Sequence, residues 1–412
     1  MSKQKNELVP ELRFPEFMHN PGWDSVYGNK AFEQVSNKDH NSDLPILAIT
    51  QEYGAIPREI IDYNVSVTEK SVQSYKVVDV GDFIISLRSF QGGIEYSEYK
   101  GLCSPAYVIL RNKKGINKRF FKQYFKAKSF IRDLTKNLKG LRDGKMISYN
   151  QFSEVLLPKP SPEEQQKIAN CLASIDELIT LHTQKLDALK DYKKGLMQQL
   201  FPAEGETVPK LRFHEFQGKG EWVKKPLERV IEIASGQVDP TKSPYCDMPH
   251  IGGENIESDS GKILNVSTAK DLNLISGKYV FDESYILYSK IRPALNKVAR
   301  PNFKGICSAD IYPIRPATDE LLQSFLGYML LSKEFLDHAK KHSDRGKIPK
   351  VNREALMAYI ASLPAPDEQY RIADFLCSID ELLASQTRRV EALRTHKNGL
   401  MQKLFPVMDE VV

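Results

Sequence analysis

One long segment occurs twice in this chain. "SIDELITLHTQKLDALKDYKKGLMQQLFP" ends at Pro202, and "SIDELLASQTRRVEALRTHKNGLMQKLFP" ends at Pro406, 204 residues later. In the first copy Ile168, Leu172, Ile175, Ile179, Leu186, Leu189, Leu196 and Leu200 fall on alternating steps of four and three. In the second, Ile372, Leu376, Ile379, Leu383, Val390, Leu393, Leu400 and Leu404 follow the same steps. A seam held for about five heptads predicts a coiled coil, and it is narrower than the stripe of a helix lying on its own domain. Polar residues interrupt both seams in the same two places, His182 and Lys193 in one and Gln386 and Lys397 in the other. Such layers fix register at some cost in stability. "SPEE" at 161–164 predicts a capping box, with Ser161 as cap, Pro162 in the first turn and Glu164 reaching back. Pro202 ends the helix, which at 1.5 Å per residue is about 57 Å long.

The repeat covers the whole chain. "GLCS" at 101–104 matches "GICS" at 305–308, and "VPELRFPEF" at 9–17 matches "VPKLRFHEF" at 208–216, with Trp23 and Trp222 in step. "RDGKMISYN" at 142–150 resembles "DRGKIPKVN" at 344–352. Between these anchors the filling differs, and "QEYGAIPREIIDYNVSV" has no counterpart in the second half. The expected fold is α+β, with two α/β globular domains joined by two long antiparallel coiled-coil helices in a pseudo-two-fold repeat. The expected boundaries are 1–158 and 203–363 for the domains, and 159–202 and 364–412 for the helices. An antiparallel pair would bring the C-terminal "LFP" back to "VPELRF", as Pro202 lies near Val208. Two unlike surfaces on one symmetric frame suit duplex DNA, which has the same local two-fold symmetry.

Charge distribution agrees. The net charge of +5 is modest, but residues 111–145 hold 13 Lys or Arg against Asp133 and Asp143. Phe120, Phe121, Tyr124, Phe125 and Phe130 recur within that run at helical spacing, so they belong to a core and the cations to the outer face. Such a face can be merely solvated; its density and sign favour phosphate contact. In unit-for-unit order the candidate DNA-binding residues are Arg88, Lys139, Arg142, Lys145, Tyr149 and Asn150, then Lys290, Arg292, Arg345, Lys347, Lys350 and Asn352. Arginine bonds guanine and asparagine bonds adenine bidentately, while lysine meets phosphate.

Catalytic motifs are sparse. There is no N-P-P-Y-like tetrad and no phosphate-binding G-x-x-x-x-G-K-[ST] loop. The five cysteines show no C-x-x-C spacing, which fits reduced thiols in the cytoplasm better than a disulfide framework or a zinc site. Asp82, Glu98 and Lys100 offer a weak metal-dependent nuclease pattern. A coiled-coil scaffold that does not read DNA sequence is a further alternative. No apolar run is long enough for a membrane span, and the first residues lack a signal peptide's apolar stretch.

The layout resembles the specificity subunit of type I restriction-modification systems, the HsdS family. "LPKPSPEEQQKIANCLASIDELI" at 157–179 and "LPAPDEQYRIADFLCSIDELL" at 363–383 carry the resemblance, with Pro162, Gln165, Ile168 and Ala169 matched by Pro366, Gln369, Ile372 and Ala373. The second copy is two residues shorter before Glu368, which leaves its helix start open. The resemblance implies target recognition domains that each read half of a split DNA site, with the helix pair as ruler. It implies two methyltransferase (HsdM) subunits that use S-adenosylmethionine, and restriction (HsdR) subunits that use ATP and Mg. No cofactor is expected in this chain itself.

Overall fold

The structure, a computed structural model, describes residues 8–41, 43–61, 69–136, 147–343, 346 and 348–408. Its two compact units are discontinuous in sequence. One comprises Met1–Thr183 with Arg388–Val412, and the other Gln184–Thr387. Each unit therefore takes part of both long helices, Pro162–Leu200 and Pro366–Leu404.

Both units are built on the same sheet. In the first, an antiparallel sheet runs in the order Phe32–Val35, Val108–Asn112, Phe83–Ile85, Glu95–Tyr96. In the second, the order is Ile231–Ile233, Ile311–Pro316, Ile286–Ser289, Val298–Ala299. The registers agree, with Phe83 opposite Leu110 and Ile286 opposite Ile314. Phe83, Ile84 and Ile85 are all buried, as a central strand covered on both faces requires.

The repeated Gly-x-Cys-Ser stretches have a steric cause. Gly101 opens a strand of a two-stranded sheet and Gly305 a strand of a second four-stranded sheet. A Cβ on either would come within 2.6 Å of a carbonyl oxygen, that of Pro45 or Pro249. Only glycine permits that backbone approach. The aromatic run lies where its spacing puts it. Phe120, Phe121 and Tyr124 on the helix Lys118–Tyr124, Phe125 at its C-cap and Phe130 on the helix Lys128–Lys136 are fully buried, packed with Phe32 and Phe83.

No position of either seam is exposed. In the first unit Ile168, Ala169 and Leu172 share a core with Met401, Leu404 and Phe405. In the second, Leu196, Leu200 and Phe201 share one with Ile372, Leu376 and Ile379. In each unit the opening half of one helix meets the closing half of the other, the order of an antiparallel pair. The helices thus serve as coiled-coil partners and as parts of their domain cores, two roles that the periodicity sets in opposition. The two lysines that interrupt the seams are paired across it. Lys193 Nζ lies 2.6 Å from Asp380 Oδ1, and Lys397 Nζ lies 2.6 Å from Asp176 Oδ1. The second carboxylate oxygen in each case is held from the domain, by Tyr328 Oη at 2.8 Å and by Gln123 Nε2 at 2.7 Å.

The helix starts differ from expectation in one respect. Ser161 Oγ does accept from Glu164 N at 3.2 Å, but the Glu164 carboxylate does not return to the cap. It receives Arg13 Nε and Nη2, each at 2.8 Å. Glu368 takes Arg212 in the same bidentate way at 2.7 Å, and Trp222 Nε1 donates to it at 3.3 Å. The "LRF" arginine and the "EQ" glutamate are therefore one device, and a buried charge pair wins over the box. Gln165 and Gln369 complete it. Their amides donate to Pro160 O and Pro364 O, and their oxygens accept from Asn117 N and Leu322 N. The shortened second lead-in loses the capping serine, yet the helix still starts at Pro366.

The expected chain closure is present in each unit. Leu12 N donates to Lys403 O and Leu211 N to Gln199 O, both at 2.9 Å. Removing one partner of a buried ion pair strands the other charge. Arg212→Ala should therefore cost about 3–5 kcal/mol, read as a lowered denaturation midpoint. Arg315→Ala, which breaks a partly exposed pair with Glu232, should cost less than about 1 kcal/mol.

Candidate nucleic-acid interface

In the second unit two loops that are far apart in sequence are stitched together. Arg292 N donates to Pro349 O and Val351 N to Lys290 O, both at 2.8 Å, and Ile291 bridges Lys350. Three predicted residues, Lys290, Arg292 and Lys350, are thereby brought onto one surface. Arg292 and Lys350 are exposed, and Lys290 Nζ lies 5.1 Å from the centre of the Tyr312 ring. Arg292 is left-handed, with φ 47° and ψ 59°, as is Asn296, with φ 45° and ψ 55°. Both are sparsely populated conformations for residues with a Cβ. Arg345 and Lys347 lie outside the described residues.

In the first unit, Arg88 occupies the corresponding loop after the central strand. It is exposed, and its carbonyl accepts from Gln51 Nε2 at 3.2 Å. Lys139, Arg142 and Lys145 lie outside the described residues. Asn150 is exposed on the short helix Tyr149–Ser153.

Two of the predicted DNA-binding residues have structural work. Asn352 caps the helix Arg353–Met357, its oxygen accepting from Ala355 N at 2.7 Å. Ser148 holds the same place in the first unit and forms a capping box with Gln151. The caps thus align Ser148 with Asn352, a two-residue shift from the "RDGKMISYN" alignment, and Asn150 is not the equivalent of Asn352. Tyr149 is half-buried and its hydroxyl donates to Phe32 O at 3.2 Å, which ties it to the core.

The basic run is partly neutralised by acids from elsewhere in the unit. Arg111 donates to Asp82 and Asp79, which raises its pKa through the Asp82 hydrogen bonds first. Lys122 pairs with Glu98 at 2.6 Å and Lys126 with Glu95 at 2.5 Å. Burial raises the Glu95 pKa in spite of that lysine. The charge available for phosphate is therefore smaller than the composition of residues 111–145 suggests.

The same pairings remove the nuclease pattern. The Asp82 side chain is 3% exposed and held by Arg111, Glu98 is held by Lys122, and Lys100 lies 3.4 Å from Asp79. Among the described residues no group of three or more His, Cys, Asp or Glu could hold a metal ion. No helix among them is long and apolar enough to cross a membrane.

The family model for the type I restriction modification DNA specificity domain matches this chain twice, at residues 26–191 and 219–394. The chain belongs to that family. It is a DNA-specificity subunit of the type I restriction-modification class, a non-catalytic family. It is 28% identical over 305 residues to the EcoDI specificity subunit of Escherichia coli, covering 68% of this chain and 67% of that one. It is 26% identical over 358 residues to the MjaVIII specificity subunit of Methanocaldococcus jannaschii, covering 83% and 81%. Among solved structures, the type I restriction-modification S subunit from M. genitalium superposes with a TM-score of 0.56 at 13% identity, over 97% of this chain and 100% of that one. A chain from a study of assembly and conformational transition in the type I R-M system also scores 0.56, at 17% identity over 94% and 98%. At those identities the likeness concerns the fold.

In this specificity subunit Asn352→Ala should lower stability by about 1 kcal/mol, through the lost cap, and leave base preference unchanged. Thermal melting and binding to randomised duplexes would measure the two effects separately. The purified chain with magnesium should leave duplex DNA uncut, as a gel assay would show.

Proposed function

We propose that each globular unit of this specificity subunit reads one half of a bipartite DNA target, and that the two long helices set the number of unread base pairs between the halves. The observation that carries this reading is the pair of family matches on two domains of identical strand order but different loops. Identical frames supply equivalent docking; different loops supply different half-sites. Each helix is 39 residues without a break, which makes it a stiff measure of length.

Chemistry then belongs to partners. Two methyltransferase subunits would carry S-adenosylmethionine and modify adenine, taking the flipped base into their own pockets. Restriction subunits would add ATP- and Mg-dependent steps. The chain would act in the cytoplasm, where its DNA target is. Footprinting of the full chain with its methyltransferase subunits tests the reading. Two protected patches on one DNA face, separated by a constant gap, are expected; a single continuous or sequence-independent footprint would contradict it.

Removing one heptad from each helix, residues 180–186 and 384–390, keeps the four-three phase and shortens each by roughly 10 Å. The tolerated spacer should shrink by about three base pairs, at roughly 3.4 Å each, with both half-sites unchanged. Methylation mapping of variant and parent would show altered half-sites if the helices do more than measure.

A further inference from the structure

In each unit the loop that leaves the central strand exposes a leucine, at places that do not correspond: Ile291, not Leu295, precedes Arg292 as Leu87 precedes Arg88. Residues 86–94 follow the strand Phe83–Ile85, and residues 290–297 follow Ile286–Ser289. Each loop exposes a leucine close to an exposed arginine. Leu87 is 53% exposed beside Arg88, and Leu295 is 41% exposed three residues after Arg292. The two loop sequences, "SLRSFQGGI" and "KIRPALNK", are unlike, although the strands around them share a register.

Neither leucine rides on a slack loop. Ser86 N donates to Ser89 Oγ at 2.9 Å and Gln51 Nε2 to Arg88 O at 3.2 Å. In the second unit the buried Asn296 amide donates to Asp259 Oδ1 at 2.8 Å and to Leu331 O at 3.2 Å. Its left-handed backbone and that of Arg292 bracket the turn carrying Leu295. Strained non-glycine residues persist where the surroundings over-determine them, and they cluster at sites of function. In the second unit the strained turn presents an apolar side chain to solvent next to a cation, which a packing role does not require; in the first, Arg88 is unstrained at φ −109° and the loop's hydrogen bonds alone present Leu87. The thymine C5-methyl is the apolar group a DNA base offers in the major groove, and guanine presents paired acceptors to arginine there.

We propose that Leu87 and Leu295 are specificity-determining residues, each packing on a thymine methyl in its own half-site, with Arg88 and Arg292 on the neighbouring base or phosphate. This rests on the bipartite-reading proposal above. The test is a double-mutant cycle between protein and base. The full chain with its methyltransferase subunits is titrated with duplexes in which single thymines of each half-site are replaced by uracil, which lacks the methyl.

For the parent chain, one uracil position per half-site should weaken binding by about three- to tenfold, at or below the low end of one base-edge contact because only a methyl is lost. In Leu87→Ala that penalty should vanish in one half-site only, and in Leu295→Ala in the other only. Melting temperatures should be unchanged, since both side chains are exposed. If both variants keep the parent's full uracil sensitivity, the assignment of the leucines falls and the bipartite reading stands. If they weaken binding equally on every duplex, the residues act in packing or phosphate positioning and the assignment also falls. If the parent complex shows no sequence preference, both readings fall together.

Discussion

The lysine–aspartate pairs across the antiparallel seam, with Lys193 buried and their other members half-buried, are the constraint on which the rest of this fold depends. An apolar seam alone tolerates sliding by a heptad, because every layer looks alike. Lys193 with Asp380, and Lys397 with Asp176, give each unit a charge-paired place in the seam, beside the polar Gln386 in one and His182 in the other. Lys193 is only 5% exposed, so a slipped register would leave its charge buried without a partner. The domain side chains Tyr328 and Gln123 hold the second oxygen of each aspartate, so helix register and domain position are fixed by the same carboxylate.

Around that frame the domains have room to differ. The Arg13–Glu164 and Arg212–Glu368 pairs, the glycines under Pro45 and Pro249, and the glutamine amides at the helix starts recur in both units. They sit where chain segments cross at close range and substitution would leave a clash or an orphaned charge. The loops that leave the central strands share that burden only at their buried positions, Ser89, Gly93 and Ile94 in one and Asn296 in the other. Their exposed residues, Leu87 and Arg88 in one and Arg292 and Leu295 in the other, can change without loss of the core, which is what a reader of variable sequence requires.

Different parts of the structure were legible to different degrees. The seam could be read residue by residue because its period is local and repeated. The aromatic run was equally plain, since helical spacing alone sends Phe120, Phe121 and Tyr124 inward. The electrostatic surface was not. Arg111, Lys122 and Lys126 read as free cations until Asp82, Glu98 and Glu95 arrive from other strands and loops. Asn352 read as a base contact because its chemistry suits adenine; its role as a cap depended on where the following helix starts. Glu164 was assigned to its own helix because the competing arginine lies 151 residues away.

By itself, then, the sequence determined the duplicated plan, the two long helices with their seams, and the family. Each of these rests on periodicity or on motifs that repeat at a fixed offset, and neither needs knowledge of distant contacts. Only the tertiary structure decided which charges face solvent, what the repeated glutamates and glutamines hold, and that residues 290–292 lie against residues 349–351. Pairings between segments tens to hundreds of residues apart depend on the path of the folded chain, and no local pattern encodes them.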